Sequence, residues 1–231
     1  MTTVPVQRRR VGRRAIPYVL LAVLTVAAGV VAWYSSRSNN ATIGPEGVLI
    51  YRVPDLAPRS TTLTGQPVDG ITCRTVAKEV VKYHIHVHIA IYVNGAMERL
   101  PAGIGITEPA VVSKYSTGEF YDVGLYDCLY WIHTHAADGI VHVEAPVKGL
   151  YTLGQFFDIW HQPLTTDQVG PALGKVVVFE NGKRLSGDPR LTALLPHGVI
   201  QIDVGTPTVA FQPVTFKVSG GCGEGTTSCS R

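Results

Sequence analysis

Between Tyr83 and Val93 the chain alternates with a period of two: Ile85, Val87, Ile89 and Ile91 fall on one parity, and His84, His86 and His88 on the other. Successive side chains of a strand point to opposite faces, so the pattern predicts a β-strand with an aliphatic core face and an imidazole face. Three dipeptides, Asn94-Gly95, Asp138-Gly139 and Asn181-Gly182, each separate runs rich in Val, Ile, Tyr and Phe. Such pairs supply the positive φ angles of type I′ turns, and each therefore predicts an antiparallel hairpin. Helical period is credible in one stretch, where Leu153, Phe156, Phe157 and Trp160 recur at i, i+3, i+4 and i+7 behind a Thr152/Gln155 capping box. The chain thus reads as α+β and mainly antiparallel β, with three or more hairpins and one packed helix near 152–161. The aromatics of that helix need no role beyond packing on a sheet.

A different pattern precedes this. Residues 15–34 carry no charge, and their only proline, Pro17, falls where the first turn of a helix tolerates one. The run is long enough to span a bilayer and exceeds the usual apolar region of a cleaved signal peptide. Arg8, Arg9, Arg10, Arg13 and Arg14 come before it, and Trp33 and Tyr34 close it. The positive-inside rule then predicts a single-pass anchor in the cell membrane, with the N-terminus cytoplasmic and the remainder extracytoplasmic. The expected order is a basic N-terminus over 1–14, a transmembrane helix over 15–34, a polar tether over 35–47, a β-rich domain over 48–218 and a Gly/Cys tail over 219–231.

Composition narrows the function. At 45% hydrophobic and 16% charged residues, with 24 Gly and 15 Pro, the chain suits a globular domain of short strands and many turns. Past Tyr34 it carries 15 basic against 17 acidic residues, so its net charge there is −2. Phosphate recognition needs a basic surface, and nucleic acid is excluded as a partner on that ground. The four cysteines lie on the side expected to be oxidising, where disulfides persist. The expected pairs are Cys73 with Cys128, and Cys222 with Cys229.

Six of the eight histidines fall in two short regions, His84, His86 and His88 in the first, then His133, His135 and His142 in the second. A two-residue turn at Asp138-Gly139 predicts His135 opposite His142 and His133 opposite Glu144, all on one face. Directly opposed residues place their β-carbons about 4.5 to 5.5 Å apart, close enough to share an ion. Along one strand, residues i and i+4 stand about 13 Å apart, so His84, His86 and His88 cannot all serve the same ion. The economical set takes two histidines from the first strand and one or two from the second hairpin. Crowded imidazoles repel when protonated and gain little when neutral, and a divalent cation supplies the missing reason for the cluster.

Neutral imidazoles suit copper or zinc. Glu144 is expected to be a ligand, a carboxylate orienting a histidine, or a general base. His161 and His197 read as ordinary surface or hydrogen-bonded residues. The leading expectation is a membrane-anchored extracytoplasmic protein that captures or handles copper or zinc. Two alternatives compete with it: a metalloenzyme that leaves an open coordination position to water, for hydration, hydrolysis or redox chemistry, and an interaction module switched by histidine protonation. Nucleotide-binding, nucleophile-elbow and H-E-x-x-H signatures are absent from the sequence.

Overall fold

The computed structural model describes residues 41–216, apart from 79, 123, 125 and 126. The expected anchor over 15–34 and the expected Cys222–Cys229 pair lie outside the described residues. Among those described, no helix is long and apolar enough to cross a membrane. In chain order the first strands are β1 (Ala41–Ile43), β2 (Leu49–Tyr51), β3 (Cys73–Arg74), β4 (Tyr83–Val93), β5 (Ala96–Glu98), β6 (Val111–Tyr115), β7 (Gly118–Asp122) and β8 (Leu129–Tyr130). There follow β9 (Ile132–His133), β10 (Ile140–Ala145), the helix α1 (Leu153–Trp160), β11 (Gln168–Val169), β12 (Ala172–Leu173), β13 (Val176–Glu180), β14 (Lys183–Arg184) and β15 (Gly198–Val204).

A seven-stranded sheet organises the chain in the order β14-β13-β15-β4-β10-β9, with β5 also paired to β4. All of its pairings are antiparallel except β15 with β4, which run parallel. The alternation of β4 sorts its side chains as periodicity requires. Ile85, Val87, Ile89 and Ile91 enter the main core, which also holds Val141, Val143, Ile200 and Ile202 and the helix residues Leu153, Phe156, Phe157 and Trp160. The capping box at Thr152 forms in both directions: Gln155 N donates to Thr152 Oγ1, and Thr152 N donates to Gln155 Oε1.

Two of the expected turns are of type I′ by their dihedral signs, with φ of 49° and 80° at Asn94-Gly95 and of 50° and 84° at Asn181-Gly182. The third is not. At Asp138-Gly139 only the glycine adopts a positive φ, and residues 134–139 form a longer loop. Thr134 leaves the β10 ladder for the segment before β6: its N–H donates to Ile104 O, and its hydroxyl accepts from Ile104 N and donates to Pro101 O. Asp138 Oδ1 meanwhile accepts the Ile140 N–H. Strand β10 therefore pairs His142 with His133 and Val143 with Ile132, a slip of two residues from the expected register. Because the slip is even, His133, His142 and Glu144 keep one face.

That face is not open. The turn between β1 and β2 and the segment after β15 cover it. Val48, Ile140, Val199 and Phe216 form a second, small core there, with Phe211 and Val214 packed against it. Two buried polar residues of β15 pin the C-terminal segment. Asp203 Oδ1 accepts the Val209 N–H, and Gln201 Oε1 accepts the Gln212 N–H. Residues 41–47, expected to end a tether, supply β1 and the turn into β2. Cys73 and Cys128 form a disulfide beside the β3–β8 ribbon.

Candidate metal centre

Strands β9, β10 and β4 lie side by side, and their register sets His133, His142 and His86 in one row across the sheet, because His142 opposes both others. The next row pairs Glu144 with His84. His135, just beyond β9, turns back over the row, with its ring centroid 4.7 Å from those of both His133 and His142. The rings of His86 and His142 stand 4.5 Å apart, and those of His84 and His86 4.4 Å.

Two sets of ligand atoms come within 4.8 Å of one another and could hold an ion: His133, His135, His142 and Glu144 in the first, and His84, His86 and His142 in the second. The second set has the composition expected from spacing, two histidines of one strand and one of the other hairpin. His88 belongs to neither. Its ring lies 6.1 Å from that of Phe216, beside the small apolar core. All six histidines are buried, between 0% and 9% exposed.

The hydrogen bonds of the first set decide which nitrogens are available. His133 Nδ1 lies 2.8 Å from Tyr130 O, and His135 Nδ1 lies 2.5 Å from Tyr121 O. A carbonyl only accepts, so both rings carry their proton on Nδ1 and present an Nε2 lone pair. These two Nε2 atoms face each other at 3.2 Å in a buried position. His142 is fixed from its other nitrogen: Nε2 donates to Glu46 Oε1 at 2.6 Å, while Nδ1 is buried without a hydrogen bond, 3.6 Å from Glu144 Oε1. Each of the three rings is thus held by an acceptor behind it, as in metal sites where a carboxylate or carbonyl orients the ligating imidazole. Tyr121 is held in turn by Arg59, whose guanidinium lies 4.5 Å over its ring, donates to Gly103 O and pairs with Glu108.

Burial shapes the charge. It pushes His133 well below the ordinary histidine range, with His135 adding to the effect. Burial followed by His142 lowers His135. Burial followed by His142 and His84 lowers His86 to about 2, and burial lowers His84 against the attraction of Glu144. His142 is the exception. Burial opposes its charge too, but Glu46 and Glu144 outweigh burial and raise it to about 10. The same pairing keeps Glu46 and Glu144 below the usual carboxylate range, although burial alone raises them. Asp138 is pushed the other way, to about 7, by burial and by Glu46.

Glu46, Tyr121 and Tyr130 escape sequence reasoning. Glu46 sits in a Gly-Pro-Glu-Gly stretch that looks like any solvated loop, and the two tyrosines act through backbone carbonyls, which every residue has. Comparison with family models, with curated proteins and with solved structures finds no match. The site is read from its own geometry.

Proposed function

We propose that this chain binds a copper or zinc ion, and that capture or handling of the ion is its role. The seat is His133, His135 and His142 with Glu144. One observation carries the reading: two Nε2 lone pairs confront each other at 3.2 Å, with both rings pinned from behind by carbonyls. Without a cation between them that contact is repulsive. Nitrogens bound at ~2.0–2.1 Å to one tetrahedral ion stand about 3.3 Å apart, so the spacing suits a shared ligand. The carboxylates of Glu46 and Glu144 add charge of the right sign. The Cys73–Cys128 disulfide removes both of those sulfurs as thiolate ligands.

Glu144 also lines a cavity of about 150 Å³ with Arg74, Lys78, Val80, Leu129, Trp131 and Pro146. This favours a second reading, in which Glu144 acts as a general base for a small molecule entering there. With Glu144 as the fourth ligand the position that such chemistry needs is filled, and binding ranks first. A switch near neutral pH fits less well, since His86, His88 and His142 are displaced to about 2, 4 and 10. We further place the site outside the cytoplasm on a membrane anchor, from the uncharged run over 15–34, the arginines before it and the oxidised cysteine pair.

Elemental analysis of the purified full chain tests the function. Near-stoichiometric copper or zinc is expected, and a metal-free protein that gains neither bound ion nor melting temperature when zinc or copper is added overturns the reading. Glu46→Gln, which removes the charge behind His142, is expected to weaken binding roughly 10- to 100-fold. Affinity equal to wild type assigns Glu46 no part in the site. A hydratase or esterase rate that appears with zinc and disappears in Glu144→Gln favours the enzyme instead.

A further inference from the structure

His142 belongs to both candidate sets. Because Glu46 accepts from its Nε2, His142 offers the two sets only Nδ1, whose lone pair is freed when an ion displaces the proton of the charged, metal-free ring. One lone pair serves one ion at a time. Charge leads to the same count. With the imidazoles neutral, one divalent ion is balanced by Glu46 and Glu144, whose side chains are 5% and 14% exposed. A second ion leaves two uncompensated positive charges, or one if the buried Asp138 is also ionised, and such charge is costly away from water.

Both sets are nevertheless built. His84 Nε2 is buried without a hydrogen bond, 3.2 Å from Glu144 Oε1. Glu144 therefore stands between His84 and His142 while lining the cavity beside Arg74 and Trp131. Granting the metal-binding reading above, we propose that the two sets are alternative seats for one ion: one of His84, His86 and His142, and one of His133, His135, His142 and Glu144. Transfer exchanges the imidazoles of His84 and His86 for those of His133 and His135, with His142 retained throughout. The sheet supplies the path, since the row His86, His142, His133 crosses three neighbouring strands.

The test uses Co²⁺ titrated into the metal-free full chain, followed by visible absorption and by elemental analysis. Wild type is expected to saturate at one ion. His84→Asn with His86→Asn is expected to keep one ion, held by His133, His135, His142 and Glu144. His133→Asn with His135→Asn is expected to keep one ion with affinity weakened roughly 10- to 100-fold and an altered spectrum. Saturation of wild type at two ions overturns the proposal and needs no variant to read. Loss of all ion binding in either double variant, checked by circular dichroism to be folded, also overturns it, because each variant leaves one seat whole. A wild-type chain that takes no ion sinks the metal-binding reading itself, which separates the two failures.

Discussion

At the scale of single residues, the buried histidines make the metal-free protein sensitive to pH from both sides. His86 and His88 have folded values near 2 and 4, against about 6.5 for an exposed histidine. Below pH 6.5 the unfolded chain takes up protons that these buried rings refuse, so stability falls as pH drops from about 6.5 toward 4, by ~1.4 kcal/mol per unit for each ring left neutral, while Asp138, raised to about 7, offsets the loss from one ring. His142 acts in the opposite sense. Its folded value is raised to about 10, so its contribution is complete below pH 6.5 and is lost as pH rises toward 10. Glu46 and Glu144, held low, add a further loss only below the ordinary carboxylate range. Urea denaturation of the metal-free protein is therefore expected to show maximal stability near pH 6.5. A stability that climbs steadily from pH 6.5 to 9 would contradict the ion pairs assigned to His142.

Elements hold these residues through devices of different reach. Helix α1 is closed locally, by Thr152 and Gln155 at its start and by His161 at its end, where φ is 58° and the backbone N–H returns to Asp158 O and Phe157 O. Thr152→Ala is expected to cost about 1 kcal/mol, read as a lower urea midpoint at unchanged m-value, with metal affinity unaffected. The loop between β9 and β10 is different in kind. Asp-Gly chemistry permits a two-residue turn, but Thr134 finds partners at Pro101 and Ile104, and the ladder opens by two residues. Gly139 remains necessary: at φ 85° a β-carbon there would come within 2.7 Å of Ile89 O and 2.9 Å of His88 Nε2.

Across the whole molecule, the disulfide and the covering segments decide how firmly the site is enclosed. Cys73 and Cys128 are 55 residues apart, and by the chain-entropy relation closing such a loop contributes about 4 kcal/mol. Reduction, or Cys73→Ala with Cys128→Ala, is expected to lower unfolding free energy by roughly 2 to 5 kcal/mol. Denaturant curves with and without reductant check this, and coincident curves would show the bridge to be without thermodynamic weight. Over the imidazole face the cover comes from both ends of the described chain, Glu46 and Val48 from one and Phe216 from the other.

By itself the sequence determined what depends on near neighbours. The period of β4, the Asn-Gly turns, the capped helix and the common parity of the histidines follow from strand and helix geometry acting over a few residues, and the Cys73–Cys128 pair from there being few cysteines to choose among. Tertiary structure alone decided the register of β10, the burial of a face that alternation left open, the exclusion of His88 from both ligand sets and the arrival of Glu46 and Tyr121 behind the rings. Tyr121 and Glu46 reach His135 and His142 across 14 and 96 positions of chain. No local pattern encodes such meetings, because they are selected by the competition of the whole chain for one sheet surface.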